Sequence, residues 1–192
     1  TETPILRTSP APMLLLSRLV HQNNYKVVLT GEGADEILGG YDIFKENYIR
    51  RFIAKDPGSK MRPKLIQALY PEIPQLSQNA SFLQAFFSKD ILDINSPYYS
   101  HHLRWSNTAR LLRFFKDSVT TPMSPFSYDL GLPANFNSWN SLAQAQYLEM
   151  ITFLTPYLLS SQGDRMAMAN SVEGRYPFLD YRLIEFANKL PP

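Results

Sequence analysis

Three acidic side chains lie in a glycine-rich segment near the start of the chain. Between Gly31 and Gly40, four of the 8 glycines of the chain occur together with Glu32, Asp35 and Glu36. Glycines let backbone N–H groups approach a ligand closely, as nucleotide-binding loops require. Carboxylates would repel a polyphosphate, but they suit Mg²⁺, which reaches nucleotides through their phosphates. The segment therefore predicts carboxylates that hold a metal or orient a nucleophile, rather than a loop that grips phosphate directly.

Part of this pattern also has a purely structural explanation. Asp35 and Glu36 would fall in the first turn of a helix, where the helix dipole favours acidic side chains. Glu32 lies between two glycines before that helix begins, so the dipole does not explain it. Residues 38–43 superficially resemble a pyrophosphate loop, but they lack its hydroxyl residues and follow a helical turn. We interpret them as a helix break, and Glu32 as the stronger catalytic candidate.

A second group of charged residues lies between Asp164 and Asp180. Arg165 could serve there as a fixed cation beside phosphate oxygens. Glu173 and Arg175 could pair with each other or with Asp164. For that pair we favour a buried ion network with a structural role, because buried charges are costly unless they are paired.

The elements that would position these residues are one strand and the helices around it. Residues 13–20 have an apolar face that predicts a helix. Residues 26–30 form a short apolar, β-branched run that is typical of a buried parallel strand. The glycine-rich segment follows the end of that strand, where ligands bind in parallel α/β sheets. Beyond Gly40 the chain predicts mostly helices, with a long loop over residues 118–138.

Two features are expected in the last third of the chain. Residues 140–159 predict a long helix that Pro156 bends or breaks. Asp180 is placed to cap a final helix that buries its apolar residues, Leu183, Ile184, Ala187 and Leu190. We therefore expect the α/β fold class. Within it, these residues should be mostly α-helical, with one or two short parallel strands.

Composition excludes several classes of protein. The 192 residues are 44% hydrophobic, which suffices for a domain with a sizeable core. The net charge is only +2, and the short basic pair Arg50-Arg51 is interpreted as a solvated helix face, so we expect no nucleic-acid partner. The absence of cysteine excludes a thiol nucleophile, a disulfide and a thiolate metal site within the chain. Residues 148–159 are too short and too polar to span a membrane.

The two charged segments together resemble the asparagine synthetase family. Residues 27–41 are similar to that family's second nucleotide loop, and residues 164–180 are similar to its C-terminal signature. A weaker match lies in residues 7–18. The resemblance implies an α/β fold of the adenine nucleotide alpha hydrolase-like (ATP pyrophosphatase) class. Residues 1–192 would then be a partial synthetase domain, without the pyrophosphate loop and the N-terminal glutaminase domain.

The resemblance implies ATP-dependent amide formation by a longer parent protein. In the family, Mg-ATP activates aspartate to an aspartyl adenylate, and ammonia released from glutamine then displaces AMP. The implied cofactors are ATP and Mg²⁺. The implied partners are aspartate, glutamine-derived ammonia, the glutaminase domain of the same parent chain and a second copy in a homodimer. We expect a cytoplasmic enzyme whose isolated 192-residue part is inactive.

Five residues match functional positions of the family. Thr30 and Gly31 match positions whose backbone meets the nucleotide. Glu32 matches a carboxylate tied to adenylate formation and ammonia attack, and it could accept the surplus proton of ammonia. Asp35 matches a metal-binding aspartate. Arg165 matches a cation, often lysine, that contacts the phosphates, and the guanidinium keeps the charge while changing its geometry.

Two other functions stay open. A β-lactam synthetase-like relative would close a ring with an internal amine and would need no ammonia, so an intact upstream glutaminase would distinguish the two. A non-catalytic helical interaction domain is the second alternative. The glycines clustered beside Glu32 count against it, because a scaffold has no need of them.

Overall fold

A computed structural model describes residues 5, 7–73, 75, 79–115 and 129–191 of the chain. The elements are, in order, α1 (Pro10–Gln22), β1 (Val27–Leu29), α2 (Ala34–Leu38), α3 (Asp42–Ala54), a 3₁₀ helix (Arg62–Ala68), α4 (Ala80–Phe87), α5 (Tyr99–Ala109), a 3₁₀ helix (Arg110–Phe114), a 3₁₀ turn (Phe136–Ser138), α6 (Ser141–Glu149), a π-helical segment (Met150–Asp164), α7 (Arg165–Met168), β2 (Glu173–Arg175), a 3₁₀ turn (Pro177–Leu179) and α8 (Tyr181–Ala187). The expected mostly helical chain with one or two short parallel strands is confirmed.

The chain forms two units. The first combines both ends of the chain, Thr1–Gly40 and Gln146–Pro192, and the second is Tyr41–Ala145. Most of the predicted loop over residues 118–138 lies outside the described residues. No helix in the described part of the chain is both long and apolar enough to cross a membrane.

The first unit holds a two-stranded parallel sheet. Strand β1 pairs with β2 so that Val28 lies opposite Gly174. The pairing continues past β1, where the Thr30 N–H donates to the Arg175 carbonyl at 3.0 Å. Both strands therefore end at the same edge of the sheet, and the residues that follow them are brought together although they come from opposite ends of the chain.

The prediction that β1 is buried is wrong. Val27 is 37% exposed and Leu29 is 73% exposed, whereas Val28 between them is half-buried. Alternate side chains of a strand point to opposite faces of the sheet. A continuously apolar strand is typical of a sheet that is covered on both faces. In the described part of the chain, other residues cover only one face of β1.

Helix α1 packs on the segment around α7 through a small polar cluster. Ser17 is buried in α1, and its Oγ donates to the Met166 carbonyl at 2.6 Å. Asn170 Nδ2 donates to Ser17 Oγ at 2.7 Å and to the Leu14 carbonyl at 3.2 Å. These bonds fix Met166 next to α1, and the predicted helix over residues 13–20 is confirmed as part of α1.

The helix that begins at Ser141 does not end at its proline. It continues from α6 into the π-helical segment, which contains Pro156. Proline removes one backbone donor and crowds the preceding turn of an α-helix, and wider π winding relieves that conflict. The hydroxyl of Thr155 donates to the Met150 carbonyl at 2.8 Å, and that of Ser161 to the Pro156 carbonyl at 3.3 Å.

Helix α8 begins as the sequence predicts. The Asp180 carboxylate accepts a hydrogen bond from the Arg182 N–H at 2.9 Å. The side-chain and backbone bonds from Arg182 lower the pKa of Asp180 to about 2. The expected apolar face is only partly buried: Leu183, Ile184 and Ala187 are half-buried, whereas Leu190, beyond the end of α8, is 49% exposed.

The second unit packs around an apolar core formed by Ile53, Ile66, Leu69, Leu83, Phe87 and Leu103. Within it, the interpretation of Arg50-Arg51 as a solvated face is wrong. Arg50 is 2% exposed, and its guanidinium donates to the carbonyls of Phe87, Lys89 and Tyr99 at 2.8–3.1 Å. The carbonyls of Phe87 and Lys89 lie at and just beyond the end of α4, where helical carbonyls lack partners within the helix, whereas the Tyr99 carbonyl lies in the first turn of α5.

Candidate active site

A cavity of about 230 Å³ lies in the first unit, at the edge where both strands end. Three parts of the unit supply its walls: α1, the segment from β1 into the glycine loop, and the segment from Gly163 past β2. The lining residues are Met13, Leu16, Ser17, Val20, Val28, Leu29, Thr30, Glu32, Gly163, Met166, Ala167, Val172, Gly174 and Tyr176. The cavity is thus mostly apolar, with a few polar groups from the residues that follow the strands.

Two of these polar groups lack a partner. Thr30 Oγ1 and Glu32 Oε2 are both buried, and neither has a hydrogen-bond partner among the residues that the structure describes. Unpartnered buried polar atoms are rare in folded proteins, because they lose their bonds to water without replacement. Both atoms belong to residues that line the cavity, so a ligand with suitable polar groups would satisfy them there.

The glycine-rich loop holds Glu32 in place. Gly33 has a φ of 92°, and a Cβ at this position would collide with the Leu179 side chain. The turn closes with a hydrogen bond of 3.1 Å from the Ala34 N–H to the Gly31 carbonyl. Next to Gly31 itself there is open space, since an added Cβ would meet no atom within 4 Å. The loop therefore leaves its backbone accessible beside the Glu32 carboxylate.

The interpretation of residues 38–43 as a helix break is confirmed. Gly39 has a φ of 72° and ends α2, and the Gly40 N–H donates to the Asp35 carbonyl at 2.9 Å. A Cβ at Gly40 would collide with the Asp35 carboxylate. Glycine at position 40 thus makes room for the Asp35 side chain.

Asp35 and Glu36 lie in the first turn of α2, as the dipole argument predicts. Asp35 is exposed and is not among the cavity-lining residues, whereas Glu36 is buried. The described residues contain no group of three or more His, Asp or Glu side chains that could hold a metal ion. A metal at Asp35 would therefore depend on oxygens from a ligand.

Arg165 begins α7 and is half-buried. It does not line the cavity, although Gly163 and Met166 on either side of it in sequence do. The structure therefore brings Thr30 and Glu32 together in the cavity wall, with Gly31 between them. It leaves Asp35 and Arg165 outside that wall, and their roles toward phosphate and metal stay predictions.

The predicted pair of Glu173 and Arg175 forms, but it is not buried. Arg175 Nε donates to Glu173 Oε1 at 2.8 Å, and both side chains are 60% exposed. The two residues alternate with Gly174 along β2, so they share a face of the sheet, and that face is open. The expectation of a buried network is therefore wrong.

Tyr176 is a cavity residue that sequence reasoning missed. The residue follows the end of β2, and Pro177 keeps its backbone out of a helical conformation. One sequence signal could have identified it: Gly174, two residues earlier, leaves room beside a large side chain. Burial first, and then the charges of Glu32 and Asp164, raise the pKa of Tyr176.

Removing the charge of Glu32 should lower the pKa of the Tyr176 phenol, because a nearby anion disfavours the phenolate. Carbon NMR of labelled tyrosine, titrated to alkaline pH, measures this in wild type and Glu32→Gln, with Tyr176→Phe assigning the resonance. Glu185→Gln removes an exposed carboxylate that does not act on Tyr176 and serves as the control. An unchanged titration in Glu32→Gln would mean that the two groups do not interact.

Comparison with known proteins finds relatives that match nearly the whole chain. The chain is 28% identical over 204 residues to the amidase chry2 of Gibberella zeae, which it matches over 100% of its own length and 30% of that protein. It is 27% identical over 200 residues to a putative glutamine-hydrolyzing asparagine synthetase of Mycobacterium tuberculosis, covering 28% of it. It is 23% identical to the glutamine-hydrolyzing asparagine synthetase 1 of Bacillus subtilis, again covering 28%.

The chain therefore spans about 30% of the length of the curated relatives it matches. No solved structure matches it at a significant level. The family model for asparagine synthase covers residues 1–192. With its acidic glycine loop and its second charged segment meeting at the ends of two parallel strands, the chain belongs to the asparagine synthase family.

Proposed function

We propose that this chain forms the nucleotide-binding side of an active site for ATP-dependent amide formation. The observation that carries the proposal is the pair of unpartnered buried atoms, Thr30 Oγ1 and Glu32 Oε2, in a cavity at the carboxyl ends of two parallel strands. Ligands of open α/β sheets bind at that edge. Family membership and the names of the relatives agree with the reaction class.

The cavity would hold only part of the nucleotide. Its volume of about 230 Å³ lies below the roughly 300–1,000 Å³ of pockets that enclose a whole drug-sized ligand. Its apolar walls suit a flat heteroaromatic base, and the hydroxyl of Thr30 and the backbone at Gly31 are available to the polar atoms of the nucleotide. The phosphates would then extend past the wall, toward solvent.

Asp35 and Arg165 are the residues proposed for those phosphates. Mg²⁺ usually keeps several waters and binds through one or two carboxylates together with substrate phosphates. The exposed Asp35 carboxylate fits that pattern without a cluster of three protein ligands. Arg165 would supply a fixed positive charge for the phosphate oxygens. ATP supplies the phosphoanhydride whose cleavage activates a carboxylate.

Glu32 would act on the amine. When a neutral amine attacks the activated carboxylate, one proton is in surplus, and a positioned base must accept it. The free Glu32 Oε2 is a buried acceptor in the cavity wall, so it can take that role without first breaking a protein hydrogen bond. In the finer form of the proposal, the carboxylate is that of aspartate and the amine is ammonia released from glutamine by a glutaminase domain of the longer protein.

A different carboxylate acceptor is the second candidate. Two relatives that match the whole chain are called amidases rather than asparagine synthetases. The acceptor can be identified by incubating the longer protein with ATP, glutamine and single carboxylates, and by detecting the amide with mass spectrometry. Conversion of aspartate supports the first form, and conversion of another carboxylate alone supports the second. We also propose that the protein is located in the cytoplasm and forms a homodimer.

Binding of Mg-ATP to the chain tests the proposal directly. We expect weak, saturable binding in the millimolar range, because the cavity encloses only part of the ligand, and no turnover by the chain alone. Backbone NMR should place the largest shift changes at Thr30, Gly31 and Glu32, and Mg-tripolyphosphate, which lacks the base, should not reproduce them. No saturable change at these residues would contradict the proposal, and submillimolar affinity would contradict the expected partial enclosure.

A further inference from the structure

Tyr176 fills a gap that two glycines leave in the wall of the cavity. A Cβ at Gly174 would lie 2.8 Å from the Tyr176 hydroxyl and 3.2 Å from its Cζ. A Cβ at Gly163 would lie 3.2 Å from the same hydroxyl and 2.7 Å from the Leu158 carbonyl. Any larger residue at these two positions would displace the ring or the backbone beside it.

This packing gives the phenol ring a fixed position. It folds back over its own strand at Gly174, and its hydroxyl end reaches the π-helical segment at Gly163. All three residues line the cavity. The ring therefore forms the boundary of the cavity on the β2 side, and its removal would lengthen the cavity in that direction.

The hydroxyl stays neutral beside the carboxylate. Burial raises the pKa of Tyr176, and the negative charges of Glu32 and Asp164 raise it further. The group is therefore an O–H donor at neutral pH, in a wall where Thr30 Oγ1 and Glu32 Oε2 have no partners among the described residues.

We propose that Tyr176 determines the specificity of this cavity: its ring, seated between Gly163 and Gly174, limits the bound group to an unsubstituted purine-sized base. The inference rests on the proposed function, because it takes a nucleotide as the ligand. Beyond the proposed function, the inference assigns to Tyr176 the selection of nucleotides by the size of their base. Enlarging the cavity at this position should admit a base that carries an additional bulky group.

The test compares Mg-ATP with Mg-N6-benzyl-ATP for wild type, Tyr176→Val and Tyr176→Phe. Tyr176→Val should raise the affinity for the benzyl nucleotide relative to ATP by roughly tenfold or more. A single apolar group that does not fit its pocket changes the discrimination between two ligands by a factor of this size. Tyr176→Phe keeps the ring and should retain the wild-type preference. Tyr25→Val is the matched control, because Tyr25 is 66% exposed and does not line the cavity.

Two failures can be told apart. If wild type binds Mg-ATP but the valine variant keeps the wild-type preference, the inference is wrong and the proposed function stands. If no variant binds nucleotide, the proposed function is wrong, and xenon NMR then tests Tyr176 without a nucleotide. Apolar cavities bind xenon, so a new xenon site in Tyr176→Val supports the role of the ring and its absence overturns it. Should the valine variant not fold, Tyr176→Leu takes its place in both measurements.

Discussion

Under the proposed function, replacing Glu32 with glutamine should abolish ATP-dependent amide formation. Glutamine has nearly the same shape as glutamate, but it cannot accept the proton that the attacking amine must lose. General base catalysis typically contributes about 10²–10⁴-fold to a rate, so we expect a loss of that size. ATP–pyrophosphate exchange and amide production, measured separately, will distinguish a defect in activation from a defect in amine attack.

The same substitution should not destabilise the fold. Glu32 Oε2 is buried without a hydrogen-bond partner among the described residues, so the carboxylate contributes little that the amide would lose. Removing a buried charge can even increase stability. Urea denaturation of Glu32→Gln should therefore give an unfolding free energy at least equal to that of wild type. Glu185→Gln, an exposed change in α8, is the matched control for activity. Wild-type turnover in Glu32→Gln would remove Glu32 from the mechanism.

Replacing Arg50 with methionine should strongly destabilise the second unit. The Arg50 guanidinium donates to three backbone carbonyls, and it lies over the Tyr99 ring at 4.4 Å. Methionine fills a similar volume but offers no donor, so the carbonyls of Phe87 and Lys89 at the end of α4 would lose their partner. Each buried polar group left unsatisfied costs about 1–3 kcal/mol, so we expect a loss of about 2 kcal/mol or more in unfolding free energy.

Tryptophan fluorescence in urea can measure this loss. Both tryptophans of the chain, Trp105 and Trp139, belong to the second unit, so their emission reports on the unit that contains Arg50. Arg50→Lys should recover only part of the loss, because an ammonium cannot reproduce the planar fork of the guanidinium. Arg18→Met, on an exposed position of α1, is the matched control. A change below about 1 kcal/mol for Arg50→Met would contradict a structural role of this size.

The second strand could not be predicted from its own residues. Glu173-Gly174-Arg175 contains no β-branched or aromatic residue, and glycine and glutamate are depleted in strands. Its conformation depends on pairing with β1, which lies at the other end of the sequence. The same pairing places Thr30 and Tyr176 in the wall of one cavity. Individual residues of the site could therefore be predicted from the sequence, but their arrangement around the cavity could not.

Burial was the least predictable property. Arg50 and Arg51 have the character of an exposed face of α3, yet Arg50 lies inside the second unit because carbonyls from α4 and α5 converge on it. Glu173 and Arg175 are expected to form a buried ion network, yet both are exposed. A charged side chain can be stabilised by water or by converging backbone groups, and only the positions of the neighbouring elements decide between them.

The features that follow from the sequence alone are local. The turn around Glu32, the end of α2 at Gly39 and the cap of α8 at Asp180 depend on glycine conformations and on bonds between near neighbours. The partner of β1, the partners of Arg50 and the place of Tyr176 between Gly163 and Gly174 depend instead on how distant elements pack together. These contacts join residues far apart in the chain, and their energies depend on burial and close approach, which no short stretch of sequence specifies.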